Sequence, residues 1–220
     1  MTQQILKRYY NSTHLEKKGM PLAMALLYKI GNNPIIAAVR KLEDIEKALE
    51  SKVDNVFFMG GNAKDIIHAV RLTKEAKKGA FIHLDLIRGL SSTDRESVDF
   101  ISEYVGADGI VTPKSYLIKE AKRVGLYGIL HLFMLDSLAL TNGVSLAQNI
   151  LPDGIEIMPG VITKIIHTFS ETLSEVPIIA SGLIHTKEEV KEVLHAGATS
   201  LSVSDMALWN LSFQDLQDNN

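Results

Sequence analysis

The chain has no cysteine among its 220 residues. A disulfide framework, a thiolate zinc site and a cysteine nucleophile are therefore excluded. Long hydrophobic runs are also missing: the apolar stretches have the length of strands, and the amino terminus lacks the apolar core of a signal peptide. We expect a cytoplasmic protein with no membrane partner. The formal net charge of −3 argues against non-specific coating of nucleic acid, although it leaves room for a local basic patch.

Recognisable catalytic and metal-binding motifs are missing as well. The seven histidines show no metal-ligand spacing such as H-E-x-x-H, and neither a G-x-S-x-G elbow nor a Walker loop occurs. His83 and His131 lie inside predicted strands, where a histidine is more often a hydrogen-bonded core residue than a catalyst. We therefore predict no metal site, no cofactor and no catalytic residue.

What the chain does contain is an alternation of strand-like and helix-like segments. Eight candidate strands recur roughly every 20 to 27 residues, as a (β/α)8 barrel requires. They cover residues 34–40, 55–59, 80–85, 109–112, 126–134, 154–158, 177–181 and 199–203. We predict an α/β fold, a TIM (β/α)8 barrel over residues 34–212, with an N-terminal helical extension over 1–33 and a flexible acidic tail over 213–220. A doubly wound parallel sheet is the alternative.

Local signals mark the starts of two helices and the nature of the extension. Thr93 with Glu96, and Thr186 with Glu189, have the spacing of a capping box after the third and seventh strands. The extension has a helical pattern around residues 20–30. We expect it to close the bottom of the barrel or to contact a partner, with a frayed start as the alternative.

Carboxylates follow several predicted strands at the end where such barrels carry their sites. Asp85, Asp136 and Glu156 belong to the third, fifth and sixth strands. They could accept hydrogen bonds from a polyol, act as general acid and base, or hold magnesium. Neutralisation by a neighbouring cation is the alternative for each, and Arg40 and Lys114 are candidate counterions. Lys114 also suits a phosphate or a Schiff base.

The loops after the last two strands have the composition of a phosphate site. Ser181 and Gly182 follow the seventh strand, and Ser204 follows the eighth. In a TIM barrel these loops commonly hold phosphate, since glycine lets the backbone approach an anion while N–H groups and hydroxyls donate to it. A tight turn at Gly182 and a helix cap at Ser204 form the alternative.

Seven segments in order carry a resemblance to a known family. They read PIIAAVR, HLDLIRGL, DGIVTPK, FMLDSLAL, DGIEIMPGVITKII, IIASGLIHTKEEV and AGATSLSVSDMALWN. At these segments the chain resembles the glycerol uptake operon antiterminator regulatory proteins, a family of glycerol-3-phosphate-responsive antiterminators, over about residues 34–210. The resemblance implies a TIM-barrel sensor that binds glycerol 3-phosphate or a similar small phosphorylated polyol. It also implies action on leader mRNA, which prevents transcription termination in glycerol-catabolism genes.

The resemblance extends to individual residues. The positions that match the family's acidic strand ends and turns are Asp85, Asp136, Ser137, Glu156, Gly160 and Gly182. The chain departs from the family pattern at Ser181, where a glycine is usual, at His185, where an arginine is usual, and at Leu130-His131, where a Gln-Arg pair is usual. Histidine does not reproduce the bidentate contacts of arginine, so these departures bear on the ligand and on RNA contacts.

The residues leave more than one class of function open. Lys119, Lys122 and Arg123 are candidates for RNA contacts, with a solvated helix face as the alternative. We predict a transcription antiterminator that is not an enzyme. The main alternative is a phosphate-binding TIM-barrel enzyme acting on a glycerol or sugar phosphate, in which Asp85 and Lys114 serve as acid and base. A protein-interaction module is a third reading, and a homo-oligomer fits any of the three.

Overall fold

The computed structural model describes Leu26 and residues 29–217. Eight parallel strands close into a barrel in chain order, so the predicted TIM barrel is confirmed and the doubly wound sheet is wrong. The strands are β1 (Ile35–Val39), β2 (Asn55–Phe58), β3 (Gly79–His83), β4 (Gly109–Thr112), β5 (Tyr127–Phe133), β6 (Gly154–Met158), β7 (Ile178–Ser181) and β8 (Ser200–Val203). Because β1 pairs with both β2 and β8, the sheet has no open edge.

Helices alternate with these strands. Over the described ranges they are α1 (Ile45–Glu50), α2 (Ala63–Glu75), α3 (Arg95–Phe100), α4 (Ser115–Arg123), α5 (Ser137–Ile150), α6 (Thr163–Thr172) and α7 (Lys187–His195). A π-helical turn, Ile101–Val105, extends α3, and short 3-10 turns cover Leu42–Asp44, Leu84–Leu86 and Met206–Leu208. None of the helices in the described part combines the length and the apolarity needed to cross a bilayer.

Two local predictions about helix starts have different outcomes. The capping box of Thr186 and Glu189 is present, with both reciprocal hydrogen bonds, and it begins α7. The box predicted for Thr93 is wrong because the N-cap of α3 is Asp94, which makes no side-chain cap. Thr93 lies one residue too early, and its hydroxyl lies 3.0 Å from that of Ser91 instead.

The barrel interior begins with an apolar layer. Side chains alternate between the two faces of a strand, so every second residue points inward. The inward side chains of this layer form one buried cluster, namely Ile36, Phe57, Phe81, Val111, Ile129 and Ile179. Leu26 and Ile30 belong to the same cluster and are fully buried, so they close the amino-terminal end of the barrel. The rest of the predicted extension over 1–25 and residues 27–28 lies outside the described residues.

Two aspartates link neighbouring strands through hydrogen bonds at the amino-terminal end of the barrel. Asp108, just before β4, accepts a hydrogen bond from the amide of Ala80 at 2.8 Å, and Asp153, just before β6, accepts one from Gly128 at 2.8 Å. Burial alone would raise the pKa of Asp108, but its hydrogen bonds to two lysines and one amide outweigh burial and lower the pKa. Burial does raise the pKa of Asp153.

The beginning of the predicted acidic tail contacts the body of the barrel. Asp215 accepts hydrogen bonds from the amide and the hydroxyl of Ser212 at 2.8 and 2.6 Å. Its carboxylate also lies 3.7 Å from Lys52, and Leu216 packs against the core. Flexibility of the tail therefore stays a prediction only, and residues 218–220 lie outside the described part.

Candidate functional site

A buried polar cluster lies above the apolar layer of the barrel. His83 ends β3, His131 lies in β5 and Glu156 in β6, all at inward-facing positions. His131 and Glu156 are direct neighbours in the pairing of β5 with β6. The exposed fractions are 0% for Glu156, 4% for His83 and 5% for His131. Three titratable side chains therefore share one interior site that is almost closed to solvent.

The geometry of this cluster centres on one carboxylate oxygen. His131 Nδ1 lies 2.6 Å from Glu156 Oε2, and His83 Nε2 lies 3.3 Å from the same oxygen without the alignment of a hydrogen bond. Burial alone would raise the pKa of Glu156, but the two histidines outweigh it and hold the pKa well below its ordinary value. Glu156 is thus a buried carboxylate anion between two imidazoles.

The polar interior continues onto β8. The hydroxyls of Ser200 and Ser202 are buried and have no hydrogen-bond partner within the described part of the chain, and the same is true of Glu156 Oε1 and His83 Nε2. Ser202 is the direct neighbour of Ser181 in the pairing of β7 with β8, and Ser181 is also buried. Buried polar groups are normally paired. The interior near the carboxyl ends of the strands is therefore chemically suited to bind a polar ligand.

A network at the mouth of the barrel joins the ends of β3 and β4. Asp85 was predicted as the last residue of β3, but β3 ends at His83 and Asp85 lies in the 3-10 turn that follows it, Leu84–Leu86. It accepts hydrogen bonds from Lys114 Nζ at 3.0 Å and from Thr112 Oγ1 at 2.9 Å. Lys114 also donates to the carbonyl and the hydroxyl of Ser92, at 2.7 and 2.6 Å. The predicted partnership of Asp85 and Lys114 therefore exists as a salt bridge.

The same network bears on catalysis by Lys114. An ammonium group has three protons, and here each of them has an acceptor. A lysine that forms a Schiff base must instead be neutral and present a lone pair to the substrate. The contacts of Lys114 thus fit a group that holds two loops together better than they fit a nucleophile.

A cavity opens at the carboxyl ends of β1 and β8. Its volume is about 210 Å3, and its lining includes Arg40, Lys41 and Ser204. Within the described part of the chain, the Arg40 guanidinium makes no hydrogen bond or ion pair. Asp44 also lines the cavity, but Lys47 pairs with its carboxylate at 2.9 Å. A cavity lined by an arginine that has no acidic partner in the described residues and by an exposed serine is a suitable setting for an anion.

Other predicted site residues have structural contacts. Asp136 is the N-cap of α5, and its carboxylate accepts a hydrogen bond from the amide of Ala139 at 2.7 Å; Ser137 is the first residue of that helix. The amide of Gly160 donates to the carbonyls of Ser181 and Gly182 at 2.6 and 3.2 Å. It is therefore already paired. The tight turn considered for Gly182 is present, with φ at +83°.

The cap considered for Ser204 is not formed. The 3-10 turn after β8 has Asp205 as its N-cap, and the Asp205 carboxylate accepts a hydrogen bond from the amide of Ala207. Ser204 is exposed at the cavity and keeps its hydroxyl available for a ligand.

The three basic residues suggested for RNA contacts lie on α4 in different surroundings. Lys122 lies 3.3 Å from Asp153 and also donates to the carbonyl of Leu151. Arg123 pairs with Asp99 and Glu120, each at 2.6 Å, and these contacts raise its pKa. Lys119 is exposed and makes no ion pair within the described ranges. The local positive charge of α4 is therefore largely balanced by acidic neighbours.

Sequence reasoning treated two members of the interior cluster as ordinary core residues. His83 and His131 are indeed buried and in contact, with ring centroids 5.5 Å apart. Their convergence on Glu156 depends on the register between β3, β5 and β6, which no spacing along the chain encodes. The available signal was the alternation of side chains along each strand, which places His83, His131 and Glu156 at inward-facing positions.

A family of known proteins matches most of the chain. The family described as "Glycerol-3-phosphate responsive antiterminator" matches residues 35–209. The uncharacterized protein YgcP of Escherichia coli (strain K12) is 33% identical over 189 residues, which cover 86% of this chain and 98% of that protein.

Solved structures give the same result. A glycerol uptake operon antiterminator regulatory protein from Listeria monocytogenes is 33% identical with a TM-score of 0.77, over 81% of this chain and 95% of its own. A related protein from Thermotoga maritima is 28% identical with a TM-score of 0.72, over 81% of this chain and 99% of its own. Aldolases and decarboxylases that are 13% to 21% identical share the barrel, which shows the fold alone.

Proposed function

The chain belongs to the glycerol-3-phosphate responsive antiterminator family, and we propose that it is a cytoplasmic regulator that binds glycerol 3-phosphate or a similar phosphorylated polyol. The ligand binds at the carboxyl end of the barrel. Binding alters the action of the protein on leader mRNA of glycerol-catabolism genes, and the protein is not an enzyme.

The cavity between β1 and β8 is the observation that carries this proposal. A phosphate needs cationic and hydroxyl donors, and Arg40, Lys41 and Ser204 supply both kinds at one cavity. The guanidinium of Arg40 forms no ion pair with an acidic side chain within the described part of the chain. Arginine matches a phosphate with two parallel N–H donors. We therefore assign Arg40 and Ser204 to the phosphate of the ligand.

The polyol part of the ligand needs acceptors for its hydroxyls. Asp85 is exposed at the mouth of the barrel, and its two carboxylate oxygens each accept one internal hydrogen bond. A carboxylate has about four lone-pair sites, so Asp85 can accept further bonds while it stays fixed by Lys114 and Thr112. Asp136 is a weaker candidate because its carboxylate caps α5.

The ligand assignment is tested by calorimetric titration with glycerol 3-phosphate. We expect Arg40→Gln to weaken binding about 10- to 150-fold, because a hydrogen bond to a charged group contributes about 1.5–3 kcal/mol. Arg71→Gln is the matched control, since Arg71 lies on α2 and faces Glu75. Glycerol itself should bind wild type and Arg40→Gln equally weakly. Equal affinity of wild type and Arg40→Gln for glycerol 3-phosphate would refute the phosphate assignment.

The regulatory assignment is tested by repeating the titration with a leader RNA. Tighter binding of glycerol 3-phosphate in the presence of RNA, without product formation, supports a ligand-coupled regulator. Release of a product from glycerol 3-phosphate would instead favour the enzyme. RNA affinity should fall steeply with salt, because contacts to RNA phosphates release counterions.

The basic residues of α4 give a sharper version of the RNA test. We propose that Lys119 contributes more to RNA binding than Lys122 or Arg123, whose charges are engaged by acids. Lys119→Ala should lower the salt slope of RNA binding by about 1. Lys122→Ala and Arg123→Ala should change that slope less. An unchanged slope in Lys119→Ala would remove α4 from the RNA surface.

A further inference from the structure

We propose that the interior of the barrel holds one divalent transition-metal ion, with His83, His131 and Glu156 as its protein ligands. The proposal concerns the buried cluster and does not depend on glycerol 3-phosphate or on RNA.

The unpaired atoms of the cluster are the first argument. Glu156 is 0% exposed and His83 is 4% exposed, yet Glu156 Oε1 and His83 Nε2 have no hydrogen-bond partner among the residues that the structure describes. A buried polar atom without a partner is unfavourable, because it has lost its hydrogen bonds to water and gained none in return. A metal ion would accept a lone pair from His83 Nε2 and from the Glu156 carboxylate, either of whose oxygens can coordinate it, and its charge would offset that of the buried carboxylate.

The geometry is the second argument. The three ligand atoms, one from each side chain, lie within 4.8 Å of one another. Metal bonds of about 2.0–2.2 Å in a tetrahedral site place ligand atoms roughly 3.4 Å apart, and His83 Nε2 lies 3.3 Å from Glu156 Oε2. The 2.6 Å separation of His131 Nδ1 and Glu156 Oε2 is that of a hydrogen bond. Metal binding must displace that proton and open this contact by about 0.5–1 Å.

The ligand set selects the class of ion. Two imidazole nitrogens and one carboxylate suit zinc and neighbouring first-row ions, whereas magnesium and calcium prefer oxygen ligands throughout. Three protein ligands also leave at least one position for a water or a hydroxyl oxygen. The burial of His131 and Glu156 limits access of bulk water to that position, and the ring of Phe133 meets that of His131 edge-on, with ring centroids 4.4 Å apart.

The rigidity of the scaffold is the third argument. All three ligands come from strands of the closed barrel, and His131 and Glu156 are fixed in register as neighbours. Ligands on strands hold their geometry more closely than ligands on loops. The charged cluster could also exist without metal as a hydrogen-bonded His–Glu pair, and that alternative is what the experiment must separate.

The test uses the full-length protein, stripped with a chelator and titrated with zinc by calorimetry. We expect one zinc ion per chain, with a loss of affinity of at least 100-fold in His83→Gln, His131→Gln and Glu156→Gln. His167→Gln is the matched control, because His167 is exposed on α6, and it should bind zinc like wild type. Circular dichroism without metal establishes that each variant is folded.

A second measurement keeps the proposal testable where a variant fails to fold. Cobalt bound to the wild-type protein should give the visible absorption of a four- or five-coordinate site, and zinc should displace it. Absence of stoichiometric zinc binding by the wild type would overturn the proposal in favour of a metal-free His–Glu pair. Equal affinity in wild type and the three cluster variants, or loss of binding in His167→Gln, would overturn it in favour of a surface site.

Discussion

At Gly160, the backbone that follows β6 lies closer to β7 than a residue with a side chain would allow. A Cβ atom at this position would lie 2.6 Å from the amide nitrogen of Ser181 and 3.0 Å from the carbonyl carbon of Ala180. These are backbone atoms of β7, so they cannot rotate away as the end of a flexible side chain could. The amide of Gly160 also donates to the carbonyl of Ser181 at 2.6 Å. Gly160→Ala must therefore push the two segments apart.

The magnitude follows from two contributions. Overpacking of a fixed site costs about 1–3 kcal/mol, and weakening of one backbone hydrogen bond adds about 0.5–1.5 kcal/mol. We expect the free energy of unfolding to fall by about 1.5–4.5 kcal/mol in Gly160→Ala. For a chain of this size the melting temperature would fall by roughly 3 to 18 °C.

The assay is urea unfolding followed by circular dichroism, with Gly143→Ala as control. The three atoms nearest to a Cβ at Gly143 in α5 would be side-chain atoms of Met134, Leu132 and Phe169 at 3.0, 3.3 and 3.3 Å, with no backbone atom among them; the crowding is offset because alanine favours a helix over glycine by about 1 kcal/mol. The control should therefore change stability little. Unchanged stability of Gly160→Ala, together with weaker binding of glycerol 3-phosphate, would refute this reasoning and make Gly160 a ligand residue.

Three further predictions concern stability and are measured by urea unfolding. Asp108→Asn should lower the free energy of unfolding by about 1–3 kcal/mol at pH 7. Because the folded-state pKa of Asp108 is lowered, this contribution is complete above the ordinary value of 3.8 and is lost as the pH falls through the lower folded value. Asp136→Ala should remove the cap on the amide of Ala139 and cost about 0.5–2 kcal/mol. Trp209→Phe should cost about 1–3 kcal/mol, since the indole donates to the carbonyl of Val203 at 2.9 Å in a buried setting.

Each of these predictions has its own contrary outcome. A constant difference between wild type and Asp108→Asn from pH 7 down to pH values well below 3.8 would show that the charge of Asp108 is not the cause. Asp136→Asn retains a capping oxygen and should keep most of the stability; a loss equal to that of the alanine variant would argue against the cap. Full stability of Trp209→Phe would mean that its hydrogen bond is replaced by water.

Local patterns in the sequence were sufficient for the barrel itself. The predicted limits of β4 and β6 agree with the structure residue for residue, and the limits of the other strands differ by one or two residues. The reason is that strand and helix signals depend on the periodicity of neighbouring residues. The one capping box that failed, at Thr93, failed because a one-residue offset moves the cap without changing the pattern.

The sequence by itself therefore determined the order of the elements and, through the resemblance, the family. Only the tertiary structure decided which charges meet. Lys122 is balanced by Asp153 and Arg123 by Asp99, so a basic run in the sequence is not a basic surface in the fold. In the same way His83, His131 and Glu156 share one site. Such contacts depend on strand register and barrel closure, which arise from the packing of the whole sheet and leave no signal in the spacing of residues along the chain.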